Sequence, residues 1–216
     1  MLATVASFTA SAASAQQLLG TATGVNSAQI ERVANVENGT SGPGGLPTLS
    51  VRDFTDLGLA EPFGFATVSF DTAGVVPPET NVDAVDLVLD VSSFTSGTVG
   101  LRVASYALSD ADLRFGPLFR PAPSRLTDQG RFPITGLGPA TLRLQNPGAL
   151  AAAGPDLGLL IFGDGVTNVQ FAGTAPFGPN SAPPQLQFRA IPEPATAALL
   201  VVGGLAALRR GRRRVR

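Results

Sequence analysis

Val85-Asp86-Leu87-Val88-Leu89-Asp90-Val91 is the stretch whose reading decides the fold class. In an extended chain, successive side chains point to opposite faces. Val85, Leu87, Leu89 and Val91 then share one face, and Asp86 and Asp90 share the other with Val88. This is a strand buried on one side. The stretch 99–107 repeats the pattern, with Val99, Leu101 and Val103 alternating with Gly100, Arg102 and Ala104. The connection 92–98 contains Gly97, so the two strands are expected to form a hairpin. That pairing would set Arg102 across from Asp86 or Asp90, and an exposed ion pair of this kind contributes about 0–1 kcal/mol.

Further strands are expected outward from this pair at 29–36, 48–53, 65–71, 131–134, 140–144, 157–162, 168–171 and 186–189. Turn residues separate them: Asn38-Gly39, Gly42-Pro43-Gly44-Gly45, Pro77-Pro78, Asn146-Pro147-Gly148, Gly163-Asp164-Gly165 and Pro183-Pro184. Residues 149–153 are expected to form one helical turn, 39–46 a loop, and 173–184 a surface segment before the last strand. Short strands without long intervening helices predict an all-β domain over 16–190, an antiparallel β-sandwich or jelly roll. No internal repeat is visible.

Composition agrees. The chain has 216 residues, enough for one domain with its own core. Gly and Pro make up about a fifth of it and only 14% is charged, which suits short strands joined by turns. A net charge of −1 supplies no basic face to neutralise phosphates, so nucleic acid is not an expected partner. Cys and His are absent. Thiol nucleophiles, His-based triads, Cys/His zinc sites and disulfides are therefore excluded.

The two ends read as addresses. Residues 2–15 are small and apolar and finish in Ala13-Ser14-Ala15, an A-x-A cleavage pattern followed by Gln16-Gln17. No basic residue precedes Arg32, so the n-region of a signal peptide is missing. Either the start lies upstream of Met1, or the terminus is a plain Ala/Ser-rich one. At the other end, Ile191-Pro192-Glu193-Pro194 leads into an uninterrupted apolar and small-residue run, 195–208. Arg209, Arg210, Arg212, Arg213, Arg214 and Arg216 follow. Pro192 and Pro194 fix φ and withhold donors, so an extended stretch should precede a helix. A helix of that length rises only about 21 Å, short of a hydrocarbon core of about 30 Å. The flank decides for a membrane helix, because arginines snorkel to headgroups and bind the anionic cytoplasmic leaflet. The positive-inside rule then puts the tail in the cytoplasm and everything before Pro192 outside.

Pro192-Glu193-Pro194, the apolar run with Gly203-Gly204 and the closing arginines, together 191–216, resemble the PEP-CTERM sorting signal of exosortase substrates. The resemblance implies an exosortase as processing partner, with Glu193 as a rigid handle between two prolines. It also implies cleavage near the motif and release from the cell envelope to the surface or the extracellular polymer matrix. A single-pass tail anchor is the plainer alternative. A nucleic-acid-binding arginine tail would leave the apolar run unexplained.

A second resemblance covers 65–189. Phe65-Ala66-Thr67-Val68-Ser69-Phe70-Asp71, then Val82-Asp83-Ala84-Val85-Asp86-Leu87-Val88-Leu89 and Gly97-Thr98-Val99-Gly100-Leu101-Arg102-Val103, open the series. Leu157-Gly158-Leu159-Leu160-Ile161-Phe162, Val169-Gln170-Phe171 and Pro183-Pro184-Gln185-Leu186-Gln187-Phe188 complete it. This order is similar to the DNRLRE-type β-sandwich, a surface domain related to carbohydrate-binding modules. Where that family carries tryptophans, this chain has Tyr106-Ala107-Leu108-Ser109-Asp110 and no Trp. The resemblance thus implies exopolysaccharide as a partner without the usual stacking platform.

Few residues suggest chemistry. Asp110 and Asp112 offer two carboxylates to calcium, a fragment of the six to eight oxygens that ion takes. A solvated turn is the plainer reading, and no cofactor is implied. Asp83, Asp86 and Asp90 read as the polar side of a strand. Asp53, Asp56 and Glu61 would serve a glycosidase only with a set separation and a cleft. Gly42-Pro43-Gly44-Gly45 lacks the Lys-Ser/Thr of a phosphate loop. Thirteen Phe and one Tyr read as core. The expectation is a non-enzymatic, exported surface or matrix protein. The alternatives are a carbohydrate-binding module and a secreted carboxylate hydrolase.

Overall fold

The alternation of Val85, Leu87, Leu89 and Val91 does place all four in the core, each 2% exposed or less. In a computed structural model, the fold is described for residues 16–33, 36–41, 44–53, 64–77, 80–94, 99–107, 125–153, 157–175 and 181–190. The strands are β1 (Gln17–Val33), β2 (Val36–Ser41), β3 (Thr48–Asp53), β4 (Gly64–Phe70), β5 (Ala84–Phe94) and β6 (Val99–Ala107). β7 (Thr127–Ile134), β8 (Gly138–Leu144), β9 (Leu157–Asp164), β10 (Thr167–Ala172) and β11 (Gln185–Ala190) follow, with one short helix, α1 (Pro147–Ala152), after β8. Ten pairings between them are antiparallel. The described residues are mostly antiparallel β-sheet, as the alternation predicts.

The described strands hydrogen-bond into one sheet, in which two ladders, joined where β1 meets β11 and β3 meets β4, share one core within the compact unit Leu18–Ala190. In the first, β5 is flanked on one edge by β8 and on the other by β11 and then β10, and β10 continues into β3. In the second, β7, β6, β9, β4 and the C-terminal half of β1 lie side by side, and β2 closes the edge. Val85 sits between Leu144 and Phe188, and Leu87 between Leu142 and Leu186. Against these rows pack Val68 and Phe70 of β4, Leu101 and Val103 of β6, and Leu159 and Ile161 of β9, all in the same buried cluster. Removing such branched and aromatic surface from water is the main stabilising term, at about 25 cal/mol per Å2.

The expected hairpin of 85–91 with 99–107 does not form. β5 and β6 lie in different ladders, and both edges of each are taken by other strands. Alternation fixes which face of a strand is buried but not which strand lies beside it. The reversal expected at Asn38-Gly39 is also displaced. Asn38 and Gly39 lie within β2, opposite Glu31 and Ile30, and the tightest pair is Val33 with Val36. β2 already runs back along β1 from Val36, so the chain reverses before Asn38-Gly39, the pair that would favour a turn. β1 begins at Gln17, well before the expected 29–36.

Two local devices hold connections in place. Gly130 takes φ 118°, a conformation that favours glycine. It sits where the β6–β7 register slips between Val103 and Ala104, and its N–H donates to Asp128 Oδ1 at 3.0 Å. Such a bulge bends a strand and ends its regular pairing. At the other end, Ser27 Oγ accepts from the N–H groups of Leu46 at 3.0 Å and Thr174 at 3.3 Å. The Thr174 hydroxyl donates to the Gly44 carbonyl at 2.8 Å. This knot ties the approach to β3 and the exit of β10 to β1.

Candidate functional site

The densest polar constellation among the described residues is built on β5. Asp86 points to the outer face, opposite Arg143 of β8 on one side and Gln187 of β11 on the other. Its side chain is only 3% exposed. Arg143 holds it through Nε to Oδ1 and through Nη2 to Oδ2 at 3.2 Å. Arg189 donates Nε to Oδ2 at 2.8 Å and Nη2 to Gln187 Oε1 at 2.7 Å. One carboxylate thus receives two planar guanidiniums from the strands on either side of it. Forked donors suit that geometry better than ammonium groups. A buried carboxylate with no partner would be costly, and here both oxygens are satisfied. The cluster stitches three strands together. It has the form of a structural ion triad, with no second acid beside it to share a proton.

Alternation puts Asp86 on the polar side of its strand, and the expected hairpin sets Arg102 across from Asp86 or Asp90. The structure parts Arg102 from both. Arg102 instead donates Nη2 to Asp128 Oδ2 at 2.7 Å and lies 5.5 Å over the Phe162 ring, its direct neighbour on β9. That hydrogen bond, with a second from the Gly130 N–H, holds the Asp128 carboxyl below the usual carboxylate range. Arg131 and Asp164 approach to 3.2 Å nearby. These ion pairs lie open to water, where each contributes little. The signal for the true partners of Asp86 was present in the alternation of 140–144 and 186–189, which turns Arg143 outward, and Arg189 outward on the other strand. Only the register brings them to one carboxylate.

The other expected acids are scattered. Asp53 ends β3 opposite Thr167; Asp56 and Glu61 lie outside the described residues. Asp83 lines an open cleft of about 540 Å3 formed by the 76–83 segment and α1. Asp90 accepts from the Ala182 N–H at 3.3 Å and lines a smaller cleft of about 240 Å3 with Val88, Pro139, Pro183 and Gln185. Among the described residues no three His, Cys, Asp or Glu side chains converge as a metal site. Asp110 and Asp112, the calcium candidates, lie outside them. So do Ala13, Ala15, Pro192, Glu193, Pro194, the run 195–208 and Arg209, Arg210, Arg212, Arg213, Arg214 and Arg216. Among the described residues no helix is long and apolar enough to cross a membrane.

Of the described aromatics, Phe65, Phe70, Phe171, Phe188 and Tyr106 are buried, and Phe94, Phe132 and Phe162 are half-buried. Phe70, Phe171 and Phe188 are 1% exposed or less, and Tyr106 only 6%. Phe65 and Tyr106 join Ile30 and Leu160 in a second apolar cluster. Burial pushes the Tyr106 hydroxyl up to about 12, against a weaker opposing effect of its hydrogen bond with Thr67. Its ring lies on Gly158, where any side chain would collide with it. None of the large hydrophobics left exposed, Leu18, Val25, Leu137 and Val166, is aromatic. No stacking platform for sugar rings is present among the described residues. Compared with known proteins, the chain matches no family model and no curated protein.

Proposed function

We propose that this chain is a non-enzymatic surface or matrix protein, exported and then sorted by an exosortase through a PEP-CTERM signal. In this reading the two ladders are the faces of a β-sandwich ectodomain. The run 195–208 is a membrane helix with the arginines on its cytoplasmic side. The precursor spans the membrane with its N-terminus outside, and the released domain belongs to the cell surface or the exopolysaccharide matrix. The observation that carries the reading is the order of parts in the chain. The last strand ends at Ala190, and Pro192-Glu193-Pro194, the apolar run and the arginines follow without a further domain's worth of sequence between. The ion triad on β5 supports a structural task, because its one buried carboxylate is consumed by two arginines.

Polysaccharide binding is the second reading. It is favoured by the resemblance to DNRLRE-type domains, while the chain lacks the tryptophans that those domains carry. Changing Pro192-Glu193-Pro194 to three alanines tests the leading reading. In a bacterium that carries an exosortase, the variant is expected to accumulate as uncut, membrane-held precursor, whereas the unaltered chain is released without Arg216. Intact-mass analysis reads both. Release of the alanine variant at the normal rate and mass would refute the role given to the motif.

A further inference from the structure

We propose that the first part of β1, Gln17–Thr23, is an exchangeable arm that leaves its own sheet and pairs with β11 of a second copy of this chain. β1 runs through both ladders. It pairs with β4 from Gly24 to Glu31 and with β2 from Ala28 to Val33, and it also hydrogen-bonds to β11, which leaves 17–23 for that strand. The two parts of β1 are held differently. In the later part Ser27, Ala28 and Ile30 are buried. Ser27 Oγ accepts from the N–H groups of Leu46 and Thr174, and the Ser50 N–H donates to Gln29 Oε1 at 2.9 Å. In the arm the one buried hydrophobic side chain is Ala22; Leu19 only partly joins the core, and Leu18 stays 48% exposed. Gly20 adds nothing, because a Cβ there would lie 2.2 Å from the Val75 carbonyl oxygen. One methyl group and part of a leucine remove little apolar surface from water, at about 25 cal/mol per Å2. Backbone hydrogen bonds carry most of the arm's attachment.

A joint stands between the two parts. The β1–β4 register slips between Gly24 and Asn26, and Val25, between them, is 57% exposed. Such a bulge bends its strand and leaves a residue unpaired. Straightening it carries the arm away from its own β11 as a continuation of the clamped part. Strands that are Gly-rich and polar on both faces specify their pairing weakly and are open to exchange. The arm and its joint carry two glycines, two threonines and a glutamine in the eight residues 17–24. The occupant is a second copy because the vacated edge of β11 is shaped for this arm, and the partner's arm restores the contacts that the first one leaves. The Gly24 N–H, which donates to the Pro184 carbonyl at 2.8 Å, marks where the exchange begins. Reciprocal exchange gives a closed two-fold dimer with both β11 edges filled. Its main cost is the lost freedom of association, so concentration drives it.

The test refolds the full chain from urea at concentrations from about 1 μM to about 1 mM, the range in which weak association shows. Size exclusion with light scattering reads the mass. A dimer is expected at the upper end, and on dilution it should part slowly, since each arm must open first. A flexible Gly/Ser spacer inserted after Val25 lets the arm fold back without bending the joint, and lengthening a hinge disfavours exchange. It is expected to raise the dissociation constant roughly 10-fold. Ala22→Asp removes the arm's anchor and is expected to abolish the dimer, with burial of Tyr106 reporting that the rest stays folded. The spacer touches no contact, so it decides the matter even where Ala22→Asp fails to fold. Each variant keeps 191–216, so association through that tail is common to all and drops out of the comparison. A chain monomeric throughout the range overturns the arm. So does a spacer variant that dimerises like the unaltered chain, or a dimer that parts at once on dilution, the behaviour of a plain edge contact. The proposal stands apart from the sorting reading: Pro192-Glu193-Pro194 changed to alanines is expected to leave the dimer unaltered.

Discussion

The two ladders cover their outer faces by opposite means. On β8–β5–β11 the outward row is Arg143, Asp86 and Gln187, closed by Arg189, and the seal is a carboxylate held from two sides. On β1–β4–β9–β6 the outward positions include Ile30, Phe65, Leu160 and Tyr106, and the seal is apolar. The flanking β6–β7 edge carries charges too, but there Arg102 and Asp128 keep 36% and 50% of their side chains in water. The same two residue types thus meet in two environments. Burial, and not the number of ion pairs, decides which set the fold depends on.

The sharpest way to break this contrast is to remove both arginines from Asp86. Arg143→Met with Arg189→Met keeps much of the stems and leaves a buried carboxylate alone. The expected loss is about 3–5 kcal/mol in urea-induced unfolding. Adding Asp86→Leu should restore much of it, since a well-packed apolar set often replaces a buried ion triad without loss. A double variant that lost less than about 1 kcal/mol, the range of an exposed pair, would show that the triad is no seal.

The apolar face makes its own prediction at alkaline pH. The Tyr106 hydroxyl, at about 12 when folded against 10.0 in the unfolded chain, keeps its proton longer in the native state. The unfolded state then binds fewer protons, so this contribution is whole below pH 10 and is lost as pH rises toward 12. The expected decline is on the order of 2–3 kcal/mol. The chain has no Lys and no Cys and a single Tyr, so no other side chain of ordinary pKa titrates in that window. Tyr106→Phe should flatten the decline, and tyrosinate absorbance should rise only as the native protein opens. A tyrosine that ionised near pH 10 in the folded protein would contradict its burial.

The smallest effect is expected at the solvent-exposed pair. Asp128→Asn should cost no more than about 1 kcal/mol, and added salt should shrink the difference. The sign with pH is that of a carboxylate held below its usual range by Arg102. Its stabilisation is present above the ordinary carboxylate pKa and fades as acid protonates the folded form. A loss as large as that of the Asp86 variants would erase the distinction between the two faces.

Much of this was legible in the residues. β6 runs from Val99 to Ala107, the span its alternation predicts, and β5, β8, β9, β10 and β11 each contain their expected stretch with a few residues added at the ends. The burial of Phe171 and Phe188 in the core follows from the same pattern. Illegible were the partners. The closeness of 85–91 and 99–107 in sequence points Arg102 to Asp86 or Asp90, yet β5 and β6 lie in different ladders. The length of β1 was also hidden, because Gly20, Gly24 and many small polar residues give 17–28 no apolar rhythm.

By itself the sequence determined that the described domain is mostly β and which side of each regular strand faces the core. Those properties follow from nearest-neighbour chemistry: a period of two and turn residues. Only the tertiary structure decided that Arg143 and Arg189 share Asp86, that Arg102 turns to Asp128, and that β11 pairs with β5. Strand pairing is a long-range choice, made by how whole faces pack rather than by any residue's own preference.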